Sequence, residues 1–218
     1  MVSRMQVRAV ADAPSDRDLV LGRIRTALEG REAKPEGLPL PPVMRADGLD
    51  ALGAAVFAER MAMTGATVLD VASAEALPSA IRGVLDDLDA KVVAISDLPA
   101  ASELLDGYGG EVMGPDAVRA DLFRCDAGIS GVHAAIAETG TLVLSTATER
   151  NRLTSPIPEV HLAVVRRDQV VPSLDHALES FGPGEGQSPP PRCITFITGP
   201  SRTADIELEL VVGVHGPK

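Results

Sequence analysis

Apolar positions recur with two different periods along this chain, and the change of period marks its organisation. Leu19, Val20, Ile24 and Leu28 fall at helical spacing behind the capping pair Ser15-Asp16, and Gly30 ends the run. That pattern predicts a helix, preceded by a frayed stretch over residues 1–14. The segment from Lys34 to Pro42 (K-P-E-G-L-P-L-P-P) excludes regular structure and reads as a linker. A second helix is predicted from about Leu49 to Met63. Strands and helices then alternate: Ala66 to Val71 extended, Ala74 to Leu88 helical, Lys91 to Ile95 a short buried strand. Pro99 to Asp106 is predicted helical, Glu111 to Met113 extended and Asp116 to Leu122 helical. Such alternation implies a parallel sheet covered on both faces.

Past residue 125 the rhythm changes. Leu142 to Leu144, Leu162 to Val165 and Ile194 to Ile197 are short β-rich runs with few helical patterns between them. The predicted class is α/β, with a three-layer parallel-sheet core extended by hairpins and preceded by an N-terminal helical extension. Residues 1–45 form that extension and its Pro-rich linker, and residues 46–218 form the main domain. Gly182 to Pro191 (G-P-G-E-G-Q-S-P-P-P) reads as an unstructured loop, with a lid over a site as the alternative.

Composition narrows the function. The chain has 218 residues, ample for one sizeable core, with no Trp, one Tyr and four Phe. Ala, Val, Leu and Ile must therefore build that core, and aromatic platforms for single-stranded nucleic acid are lacking. A net charge of -11 argues against nucleic acid in general and against anionic membrane surfaces. No stretch approaches the ~20 apolar residues of a membrane span, and the N-terminus lacks a signal-like apolar core, which predicts a cytoplasmic protein. The two cysteines, Cys125 and Cys193, are far apart and outside any C-x-x-C, so both read as small buried hydrophobes. Two thiols cannot ligate a cluster that needs four. No H-E-x-x-H, EF-hand loop, Walker A, G-x-S-x-G or G-x-G-x-x-G occurs, which predicts no metal site and disfavours the matching enzyme classes. Gly107-Tyr108-Gly109-Gly110 is glycine-rich at the wrong spacing and reads as a turn.

Three segments carry candidate chemistry. Gly199 to Asp205 (G-P-S-R-T-A-D) follows a β-rich run and reads as a strand-to-helix turn. Outward N–H groups there, Ser201, Thr203 and the Arg202 fork suit an anion, and an ordinary capped helix is the alternative. In A-A-I-A-E-T-G-T-L-V-L-S (134–145), Glu138 is a lone carboxylate among apolar residues, beside a tight turn at Gly140. It is either satisfied at the turn or a working acid, base or nucleophile. Asn151 and Arg152 follow that strand. Arg152 is either a second anion clamp converging with Arg202 or a solvated loop charge. His161 enters a strand, His133 precedes the hairpin and His215 lies near the end. Each is a structural histidine or, for one of them, a general base.

Four blocks in order, I-S-G-V-H-A-A-I-A-E-T-G-T-L-V-L (129–144), N-R-L-T-S-P-I-P-E-V-H-L-A-V-V (151–165), I-T-G-P-S-R-T-A-D-I-E (197–207) and G-V-H-G-P (213–217), resemble the LUD-domain family, in its LutC/YkgG lactate-utilisation group. The resemblance implies a NagB/RpiA/CoA-transferase-like fold and a part in oxidising lactate to pyruvate beside separate iron–sulfur partner proteins, with no cofactor on this chain. It implies a small anionic ligand, with Thr139, Gly140, Thr141, Asn151, Arg152, His161, Gly199, Ser201, Arg202, Thr203 and Asp205 as contacts and Glu138 as catalytic candidate. A stand-alone CoA-transferase-like or sugar-phosphate-isomerase-like enzyme is the rival. Family chains continue past G-V-H-G-P into an apolar strand. Here Lys218 follows, and the expectation is either a naturally short protein or an edge that a partner covers.

Overall fold

The computed structural model describes residues 15–30, 52–98, 101–181, 191–204, 210–213 and 216–217. The chain divides into two units, Met1–Met44 and Arg45–Lys218. In the first, α1 (Asp16–Leu28) forms where its spacing predicts. Ser15 accepts from the Asp18 N–H as N-cap, and Asp16 and Asp18 lie favourably in the first turn. The linker from Lys34 to Pro42 lies outside the described residues, as does the Gly182 to Pro190 stretch of the loop.

The second unit is built on two four-stranded sheets. The first has β1 (Val92–Ile95) central, with β2 (Glu111–Met113) on one side, then β3 (Ala127–Ser130) and β6 (Val160–Ala163) on the other, all parallel. Val93, Ile95, Ala127 and Ile129 face α3 (Leu77–Asp87) and α4 (Ala101–Leu104), where Ile81, Leu85 and Leu104 close one core. The alternate positions Val92 and Ala94 pack with Leu122 of α5 (Arg119–Leu122), Cys125, Leu153 and Ile157. This two-sided burial is why β1 reads as a continuous apolar run. Gly128 on β3 has lost its side chain to a close approach: a Cβ there would collide with the Thr154 carbonyl oxygen and stand 3.0 Å from Pro158 Cγ. The loop from 151 to 158 lies directly on the sheet through that gap.

The second sheet runs β7 (Val170–Val171), β4 (Ala134–Ile136), β5 (Thr141–Ser145), β8 (Ile194–Ile197). β4 and β5 form an antiparallel hairpin, β5 and β8 pair antiparallel, and β4 and β7 are parallel. All five residues of β5 are buried. Leu142 and Leu144 face Phe57 and Met61 of α2 (Ala54–Met63), while Val143 faces Ala177 of α6 (Leu174–Glu179). Burying Phe57 and Met61 contributes about 1.5–3 kcal/mol each. The hairpin turn at Gly140 has φ +65, and an added Cβ would stand 2.5 Å from Met61 N. Glycine therefore serves both the left-handed turn and the close seating of α2.

The α/β class with a parallel core and added hairpins is as predicted. Four local expectations differ. Ala66 to Val71 forms no strand: its residues 67–70 are exposed and no described strand pairs with it. The 116–122 helix is confined to Arg119–Leu122. Glu138 is exposed rather than set in an apolar interior, since the turn projects beyond the end of β4. Among the described residues no helix follows Gly199. The chain turns into β9 (Arg202–Ala204), which pairs antiparallel with β10 (Leu210–Val212).

Candidate functional site

The first sheet ends at Ser130 of β3, and the loop after β5 folds back over it. Ser145 starts the fold-back: its carbonyl accepts from Thr148 N (3.1 Å) and Glu149 N (2.9 Å), and its Oγ from Ala147 N (3.1 Å). That tight turn drives Glu149 inward and Arg150 outward. Arg150 is then fixed on Asp97, just past the end of β1, by its backbone N–H (2.8 Å) and Nε (2.9 Å). The Arg150 guanidinium holds the Asp97 carboxyl below the usual range against the cost of burial. Asn151 follows as a loop staple: its Nδ2 donates to the Ala117 carbonyl (2.9 Å) and its Oδ1 accepts from Leu153 N (3.2 Å).

These restraints leave a narrow cleft between β3, β5, β8 and the loop, with about 10 Å³ of enclosed space and the rest open to solvent. Ser130, Ser145, Thr146, Glu149, Arg152 and Cys193 are among its lining groups. Glu149 is 5% exposed. Its Oε1 accepts the Gly131 N–H at 3.1 Å, while Oε2 and the buried Ser96 Oγ have no hydrogen-bond partner. Burial pushes the Glu149 carboxyl up. The nearby Ser96 hydroxyl and the Gly131 N–H oppose that rise, although the Ser96 group falls short of hydrogen-bond geometry, and Asp97 adds to it. Arg152 is exposed, with Nη1 3.8 Å from Cys193 Sγ, and no carboxylate among the described residues pairs with it.

His161 lies on β6 beneath this floor, with Nε2 2.8 Å from Ser130 Oγ. Its ring keeps some accessible surface, yet dense protein surrounds it, and burial pushes its pKa down to about 4. It stands as a neutral hydrogen-bonding group at pH 7.

The predicted contacts separate into two groups. Asn151, Arg152 and His161 lie at the cleft, Asn151 with its side chain committed to backbone. Thr139, Gly140, Thr141 and Gly199 lie at the far end of the second sheet, about 13 Å away along β5. There Thr139, Thr141 and Thr198 form a hydroxyl chain of 2.7 and 2.8 Å links. Arg202 joins that end, donating Nη2 to the Thr64 carbonyl at the C-terminus of α2. Arg152 and Arg202 therefore do not converge. The Ser201 N–H is taken by the Pro217 carbonyl at 2.9 Å, so the turn presents no free helix N-terminus there. Thr203 lies in β9, and Asp205 and His215 lie outside the described residues. Glu149, Ser130 and Ser145 were not legible as site residues: Glu149 sits in the polar run T-A-T-E-R-N-R, and only the tertiary fold buries it. Cys193 lines the cleft half-buried, where the sequence suggested a buried hydrophobe, whereas Cys125 is buried as expected. No group of three or more His, Cys, Asp or Glu among the described residues is placed to hold a metal ion.

A parallel core joined to a hairpin sheet, with a polar cleft where they meet, defines a class of α/β proteins, and residues 54–218 match the LUD domain family. The chain belongs to that family. It is 35% identical over 206 residues to a Deinococcus radiodurans protein named Lactate utilization protein C, covering 91% of this chain and 90% of that one. A Bacillus subtilis protein of the same name is 38% identical over 95 residues, 43% of this chain and 40% of its own length. The crystal structure of a DUF162 family protein from Deinococcus radiodurans superposes with a TM-score of 0.54 at 30% identity, covering 75% of this chain and 90% of that one.

Proposed function

We propose that this chain is a subunit of a cytoplasmic system that oxidises L-lactate to pyruvate, and that it binds the small anion in the cleft. The observation that carries this reading is the near full-length likeness to the relative named Lactate utilization protein C. The cleft supports it: Arg152 offers a guanidinium fork to a carboxylate, and hydroxyls line the walls. Oxidation releases two electrons and two protons, and the electrons pass to iron–sulfur clusters on separate partner proteins. Cys125 under α5 and Cys193 at the cleft are too few for a four-thiolate cluster here. No described helix is long and apolar enough to cross a membrane.

The test is reconstitution. Candidate cysteine-rich iron–sulfur proteins are mixed with the chain and L-lactate, and cluster reduction is followed by visible absorption. Reduction that requires all components is the expected result. Turnover of an acyl-CoA or a sugar phosphate by the isolated chain would replace this reading with a stand-alone enzyme.

A further inference from the structure

We infer that Glu149 selects the ligand's 2-substituent, so that the cleft takes a 2-hydroxy acid in preference to the matching 2-oxo acid. The inference rests on the reading of the cleft as a small-acid site and goes on to assign what distinguishes substrate from product.

A carboxylate oxygen buried without a hydrogen-bond donor is costly, and a folded protein retains one where something else supplies the donor. Glu149 is in that position: Gly131 satisfies Oε1, the nearby Ser96 hydroxyl stops short of hydrogen-bond geometry and leaves Oε2 without a partner, and the residue forms part of the cleft wall. Its complement is a hydrogen-bond donor carried by the ligand. Arg152 sets the other end. Arg150, its neighbour, is already neutralised by Asp97, which leaves Arg152 as the guanidinium that lines the cleft. An anion in the cleft is attracted by Arg152 and repelled by Glu149, and this fixes its orientation. The ligand's carboxylate turns to Arg152, and the group on its second carbon turns to Glu149.

Chemistry at that second carbon then decides affinity. A hydroxyl donates to Glu149. A keto oxygen only accepts, and it meets a carboxylate oxygen of like partial charge. An unsubstituted carbon leaves Oε2 unpaired. Sites built to hydrogen-bond a hydroxyl reject analogues that lack it far more strongly than apolar pockets reject a methyl group. Oxidation of the ligand thus removes the donor that held it, and the product leaves.

The experiment is calorimetric titration of the full chain with L-lactate, pyruvate, propionate and L-alanine, using wild type, Glu149→Gln and Arg152→Gln. The expected result is L-lactate at least about a hundredfold tighter than pyruvate or propionate. Glu149→Gln should lose that preference, because its amide can donate to a keto oxygen, and Arg152→Gln should weaken all the acids together. A wild type that binds the acids without discrimination, or a Glu149→Gln variant that keeps the preference, overturns the assignment and leaves the small-acid site standing. L-alanine tighter than L-lactate overturns it in favour of an ammonium donor. Failure of all four to bind removes the small-acid site itself and this inference with it. The wild-type ranking decides the question even where a variant folds poorly.

Discussion

Gly128 and Thr154 meet so closely that the Thr154 carbonyl oxygen occupies the space where a Cβ on residue 128 would stand. Backbone forms one side of the contact, so neither partner can rotate away. The loop that carries Asn151 and Arg152 is thereby seated on the parallel sheet by the absence of a side chain. Gly128→Ala is expected to lift the loop, costing about 1–3 kcal/mol of stability and weakening L-lactate binding. Urea unfolding and calorimetric titration of the same variant check both effects.

Acid sensitivity should trace to His161. Its folded-state pKa is about 4, below the ordinary 6.5, so on acidification the unfolded chain takes up the proton first. Stability is therefore lost as pH falls from about 6.5 towards 4. Discounted for the ring's remaining solvent contact, the loss is on the order of 1–2 kcal/mol. Glu149 acts with opposite sign, because its raised carboxyl pKa means that protonation relieves a cost in the folded state. The comparison to make is between wild type and His161→Asn. The variant should show a flatter fall in denaturation midpoint across that window, and identical pH profiles would sink the assignment.

The two thiols should differ in reactivity. Cys125 is 3% exposed and burial pushes its pKa up, both of which suppress the thiolate that alkylating reagents attack. Cys193 is half-buried at the cleft. Iodoacetamide should label Cys193 first, read by peptide mass spectrometry, and L-lactate should slow that labelling. Equal rates, or Cys125 first, would contradict the placement.

Arg202 should prove structural. Its guanidinium holds the Thr64 carbonyl at the end of α2, where a cation also suits the helix dipole. Arg202→Ala is expected to lower stability by about 0.5–1.5 kcal/mol and to leave L-lactate affinity unchanged. Thermal melts and titrations separate this from a ligand role, in which affinity would fall as well.

Elements with a strong repeat were legible in the sequence. α1, α3, β1 and β8 lie where their apolar spacing placed them, because local pattern and final burial agree there. β3 was not foreseen: A-G-I-S mixes a glycine and a serine into a strand whose outer positions receive a loop and a cleft. β9 was misread because Gly199-Pro200-Ser201 looks like a helix cap, and the pairing that overrides it comes from β10, with Leu210 opposite Ala204. Of the site, Arg152 could be picked out from its place after a strand. Glu149 could not, since its burial depends on the Asp97–Arg150 clamp, a contact between residues far apart in the chain.

The pairing of β5 with β8 sets when the site can exist. The β4–β5 hairpin closes over a four-residue turn and can form early, whereas Ser145 meets Ile194 only after the whole intervening stretch has been brought back. Contacts so distant in sequence carry the largest loop-closure entropy and tend to form late. Two of the cleft's walls are these strands. A ligand therefore finds no template in the early chain and can only lock the last step, slowing unfolding while leaving the folding rate nearly untouched.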